Sequence, residues 1–114
     1  MRAPAFLSAF LLMSAAASAH AFLNHAVPGA GAAVSPSPPS VALTFSENLE
    51  PALSGVEVTD PQGRSVVAGA VTTNANTMSV PLKPLAPGKY RVAWHAVSVD
   101  THRTQGDYRF TVQK

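Results

Sequence analysis

Three residues carry the chemistry available to this sequence. Asp100 and His102 stand two apart within "WHAVSVDTHRTQGDYRF", residues 94–110, and His20 directly follows Ala17-Ser18-Ala19. Where the backbone is extended, side chains two apart point the same way, so a carboxylate and an imidazole can face one ion. His20 would be unremarkable inside a chain, but at a newly cut terminus its α-amine is free, with an ordinary pKa of about 7.7–8.0. That amine and the Nδ1 of the same ring can chelate a single metal. With an imidazole from His102 and an oxygen from Asp100, the set becomes three nitrogens and one carboxylate. Nitrogen and oxygen donors without sulfur suit tetragonal Cu(II) rather than Cu(I), and Cu(II) heads the divalent affinity order. Zinc accepts the same donors but prefers a tetrahedron. The expectation is one Cu(II) per chain, held by His20, Asp100 and His102.

The cut that would expose His20 is written upstream. "MRAPAFLSAFLLMSAAASA", residues 1–19, has one positive residue, Arg2, then an apolar run from Ala5 to Met13, then small residues. Ala17-Ser18-Ala19 fits the pattern read by signal peptidase. The apolar run is too short to span a bilayer, and no second run of about 18 apolar residues follows. Residues 1–19 therefore read as a cleaved signal peptide and 20–114 as one exported domain, with no membrane span in the mature chain. Removal takes Arg2 out of a formal net charge of only +2. The remaining charges are scattered and give no electrostatic footprint for nucleic acid. There is no cysteine, so an exported domain with access to disulfides must rely on packing instead.

The elements that must position these residues are strands. Apolar residues alternate in Val41/Leu43/Phe45, Val56/Val58, Met78/Val80/Leu82, Tyr90/Val92/Trp94/Ala96 and Tyr108/Phe110/Val112. Period-two alternation is the pattern of half-buried antiparallel strands. Proline-rich "SPSPP" (35–39) reads as an extended connector, and "DPQG" (60–63) and "LAPG" (85–88) as tight turns. With Ala21–Val27 and a weaker strand near Val66–Val71, about seven strands are expected. They predict an all-β fold, a seven-stranded antiparallel β-sandwich with an immunoglobulin-like layout. Asp100 and His102 then fall in a loop at one end of the sandwich.

At this point the chain resembles the CopC family of bacterial periplasmic copper-binding proteins. The resemblance is carried by the start at His20, "VPGAGAAV" after it, "LTFSENLEP" at 43–51 and "WHAVSVDTHRTQGDYRFTV" at 94–112. It implies a cupredoxin-like or immunoglobulin-like Greek-key sandwich and Cu(II) ligation through the N-terminal histidine and the D-x-H motif. It further implies a periplasmic role in copper resistance or homeostasis, with a CopD-like inner-membrane protein as partner. The chain departs from the family in having Thr101 where glycine is common, a change expected to stiffen the loop. It also has a single methionine beyond residue 19, Met78, on an alternating strand. One thioether builds no soft Cu(I) site and reads as core packing.

The remaining candidates weigh less. His25 alternates with Leu23 and Val27 and reads as a partly buried strand residue, and His95, opposite in phase to Trp94, as solvent-facing. Glu47 is either an acceptor orienting His20 or His102 or a plain surface carboxylate. Trp94 is expected in the core. The competing function is a small copper-dependent redox enzyme with a histidine brace. Against it, an added carboxylate and imidazole would fill the equatorial positions oxygen needs. The expectation is a monomeric binding protein and no enzyme.

Overall fold

A computed structural model describes residues 22–114, so His20 and the whole 1–19 segment lie outside the described residues. Eight strands follow in order: β1 (Leu23–Val27), β2 (Ala33–Val34), β3 (Ser40–Phe45), β4 (Gly55–Thr59), β5 (Thr72–Asn74), β6 (Thr77–Pro81), β7 (Gly88–Val97) and β8 (Arg103–Val112). They form two four-stranded sheets, β1-β3-β6-β5 and β2-β8-β7-β4. The expected all-β sandwich is present, with eight strands where the alternation suggests seven.

Two local differences account for the count. Residues 66–71 form no strand. Val67 makes only an isolated bridge to Leu82, and the ladder resumes at Thr72–Asn74 against β6. Ala33–Val34 adds a two-residue strand that runs parallel to Thr111–Val112, the one parallel pair in a framework otherwise antiparallel. Two residues are too few to show a period.

The alternation places the core as read. Val41, Leu43 and Phe45 of β3, Met78 and Val80 of β6, and Val58 and Val92 of the opposing sheet are all fully buried. Phe45 meets Trp94 edge-on with ring centroids 5.3 Å apart, and Phe22 tilts against Phe45 at 5.4 Å. This aromatic column joins the start of the described chain to the centre of the sandwich. A second tie acts at the far end of β1. The hydroxyl of half-buried Tyr108 donates to the Pro28 carbonyl at 2.8 Å, and desolvation pushes the phenol's pKa up to about 12.

Gly106 makes room for Trp94. The two are direct cross-strand partners in the β7–β8 ladder. A Cβ on Gly106 would lie 2.7 Å from Trp94 Cζ2, closer than two carbons can approach. Gly106→Ala is therefore expected to cost about 1–3 kcal/mol through forced repacking. Urea denaturation checks this, and a wild-type midpoint would show that the indole moves aside freely.

The β7–β8 ladder runs unbroken from Gly88↔Val112 to Val97↔Arg103. Ten residues in each strand fix the hairpin end, and residues 98–102 are left as the loop that carries Asp100 and His102.

Candidate metal centre

Three chain segments meet at this end of the sandwich. The 98–102 loop is closed by two backbone bonds, from Ser98 N–H to the His102 carbonyl at 2.9 Å and from Thr101 N–H to the Ser98 carbonyl at 2.8 Å. The segment after β3 lies against it. Leu49 bridges Ser98, Val99 N–H donates to the Asn48 carbonyl at 3.0 Å, and Glu50 N–H to the Val97 carbonyl at 2.8 Å. The start of the described chain is the third segment, where the Phe22 carbonyl accepts Ser46 N–H at 2.9 Å.

Where these segments converge, Glu47, Asp100 and His102 bring one donor atom each within 4.8 Å of one another. His102 Nδ1 is 3.3 Å from Asp100 Oδ1 and 3.9 Å from Glu47 Oε1. Asp100 and His102 are exposed and Glu47 is half-buried, yet Glu47 Oε1 is itself out of solvent and has no hydrogen-bond partner. A buried carboxylate oxygen left without a donor is costly. A cation at this point would supply what the oxygen lacks.

Asp100 is prepared as an anion. The Ser98 hydroxyl hydrogen-bonds its Oδ1, and this contact, with a smaller part from His102, holds the carboxyl below the ordinary carboxylate range against partial desolvation. At neutral pH it is an ionised oxygen donor, with two carboxylates and an imidazole now facing one point. Hard oxygen with imidazole nitrogen is a set for Cu(II), Zn(II) or similar divalent ions, and lacks the soft sulfur that selects Cu(I).

Thr101 lies between the two D-x-H residues at φ +74°, a left-handed backbone that a β-branched residue rarely adopts. Its hydroxyl donates to the Asp100 carbonyl. The loop thus holds a conformation that glycine would adopt without strain, which is the physical content of the departure noted at this position.

The other histidines among the described residues, His25 and His95, stand apart from the cluster. His25 is exposed, not partly buried as its alternation suggests. The β1–β3 register shifts between Leu23 and His25, so Asn24 and His25 both face outward. A bulge of this kind breaks the period on which the reading rests. His95 faces solvent on the outer sheet surface as expected, and its ring lies over Gly55, where a Cβ would come 2.8 Å from Cε1. Glu47 is more than the orienting acceptor considered from sequence, because its oxygen sits among the donors. Ser98 has no counterpart in the sequence reading. Its signal, a serine continuing the 98–100–102 alternation into the motif, is visible only once the loop is folded.

Comparison with known proteins bears on this geometry. Residues 23–113 match the CopC domain family. The chain is 41% identical over an alignment of 121 positions to copper resistance protein C of Escherichia coli, covering 96% of this chain and 95% of that protein. Among solved structures, CopC from Methylosinus trichosporium OB3b superposes with a TM-score of 0.75 at 35% identity, over 82% of this chain and 94% of that one. PcoC, a methionine-rich copper resistance protein from Escherichia coli, superposes with a TM-score of 0.71 at 39% identity, over 83% and 100%. Sequence and fold agree along nearly the whole described chain, and the protein belongs to the CopC family.

Proposed function

We propose that this chain is an exported copper resistance protein that binds one Cu(II) ion at the Glu47–Asp100–His102 end of the sandwich. The His20 amine, freed by cleavage after Ala19, and the imidazole of the same residue complete the ligand set with Asp100 and His102. The observation that carries the reading is the cluster itself, with its unpartnered Glu47 oxygen, in a chain whose relatives are copper resistance proteins. The tie between Phe22 and Ser46 supports the part given to His20. Two residues of extended chain reach roughly 7 Å, enough to bring the terminus from Phe22 to the neighbourhood of Glu47. Copper is cargo here, sequestered in the periplasm or handed to a CopD-like inner-membrane partner, and no turnover is assigned to the site.

The choice of Cu(II) over Cu(I) follows from the donors. PcoC is methionine-rich, whereas Met78 is the one methionine in this chain after residue 19 and is 0% exposed in the core. It cannot reach an ion without unfolding β6. Titration of the chain beginning at His20, with a competing chelator for each oxidation state, is expected to show one tightly bound Cu(II) and weak Cu(I). Tight stoichiometric Cu(I), or no Cu(II) uptake, would overturn the assignment.

A further inference from the structure

We infer that Ser98 is the positioning residue of this metal centre, its hydroxyl fixing the Asp100 carboxylate and the His102 backbone in the arrangement that Cu(II) meets. The inference rests on the copper reading above. Ser98 is 0% exposed and is the only non-aromatic polar residue buried among the described residues. It continues the inward phase of β7, in which Tyr90, Val92, Trp94 and Ala96 are buried. Packing alone would favour another small apolar residue at this point. A buried hydroxyl is unfavourable unless it is hydrogen-bonded, so what it bonds is informative.

Its side-chain bonds reach only the two D-x-H residues. The hydroxyl donates to Asp100 Oδ1, with a longer contact of 3.4 Å to the His102 carbonyl, and the same oxygen accepts His102 N–H at 3.1 Å. Two further bonds shape the turn without the hydroxyl. They use the Ser98 backbone N–H and carbonyl, toward His102 and Thr101, and would survive loss of the side chain. What the hydroxyl adds to them is its hold on the Asp100 carboxylate and on the backbone from which the His102 side chain projects.

Both ligands need such restraint. The Asp100 side chain is 52% exposed and that of His102 74% exposed, so surrounding packing does not hold either one. A carboxylate free to rotate would lose conformational freedom on binding, which weakens affinity; one already fixed does not. With Oδ1 engaged by Ser98, one lone pair is committed, and the carboxylate presents a defined set of remaining lone pairs to an ion. Partners of this kind outside the ligand set typically contribute about 10–100-fold to metal affinity.

The test compares five chains starting at His20: wild type, Ser98→Ala, Ser98→Thr, Asp100→Ala, and Ser98→Ala combined with Asp100→Ala, the last read against Asp100→Ala alone. Ser98→Ala is expected to fold, to bind Cu(II) about 10–100-fold more weakly, and to give an altered copper EPR spectrum. Ser98→Thr keeps the hydroxyl and should restore both affinity and spectrum. In the Asp100→Ala background most of the Ser98→Ala loss should vanish, because the two residues act as one unit. Unchanged affinity and spectrum in Ser98→Ala would overturn the role. So would an equal loss in both backgrounds, a Ser98→Thr chain that folds but binds no better than Ser98→Ala, or an unfolded Ser98→Ala chain, which would make the serine a fold residue. A wild-type chain that takes up no Cu(II) would instead overturn the copper reading, and this role with it.

Discussion

Acetylating the α-amine of the chain that begins at His20 is expected to weaken Cu(II) binding by more than about 100-fold, beyond the range seen when only an outer partner is lost. The apo melting temperature should not change. An acetyl group turns the amine into an amide, which at neutral pH is no comparable donor, and it breaks the chelate that ties amine and ring to one ion. The described fold supports this placement through Phe22. Its ring packs on Phe45 and its carbonyl accepts Ser46 N–H, so the described chain begins beside the residue that precedes Glu47. Acetylation tests this more cleanly than a peptide extension, because an added residue brings a new amine next to the same imidazole. The measurement is a chelator-competition titration of the free and acetylated proteins side by side. Equal affinities would show that the terminus is not a ligand, leaving Glu47, Asp100 and His102 to form the site without it.

The fold was legible wherever burial alternates with period two. β3 and β7 each bury every second residue, and the pattern "VALTF" or "YRVAWHA" needs no knowledge of neighbours to be read. What failed was local irregularity. The bulge between Leu23 and His25 carries no glycine or proline to announce it, and "VVAGAV" at 66–71 is apolar enough to resemble a strand while forming only one bridge. The site divides in the same way. Asp100 and His102 are close in sequence, so their spacing and the family resemblance point to them together. Glu47 joins them only because the segment after β3 crosses onto the 98–102 loop through Leu49, Val99 and Glu50, and such pairing across distant segments leaves no local mark. Ser98 is hidden for a different reason. A serine at a strand end reads as ordinary loop polarity until its burial is known.

Saturating Cu(II) is expected to raise the melting temperature by roughly 10–20 °C. Ligand at about 100 times its Kd adds roughly 2.7 kcal/mol to a fold that binds it only when folded. For a domain of this size each kcal/mol is worth about 4–8 °C. The condition is that the unfolded chain lacks the site, and the topology meets it. Glu47 follows β3, Asp100 and His102 follow β7, and β3 and β7 belong to opposite sheets. Only the packed sandwich holds these segments together. A second contribution comes from the apo state, in which two carboxylates crowd one imidazole and Glu47 Oε1 has no hydrogen-bond partner. Like charges at such a distance oppose folding, and an unpaired buried oxygen adds to the cost. A divalent cation relieves both together. Glu47→Gln should therefore leave the apo protein at least as stable as wild type while reducing the upward shift produced by Cu(II). Differential scanning calorimetry of both proteins, with and without the ion, separates the terms. No shift in wild type would mean that the ion binds a local stretch of chain that survives unfolding. A full shift in Glu47→Gln would mean that the unpartnered oxygen has no part in holding copper.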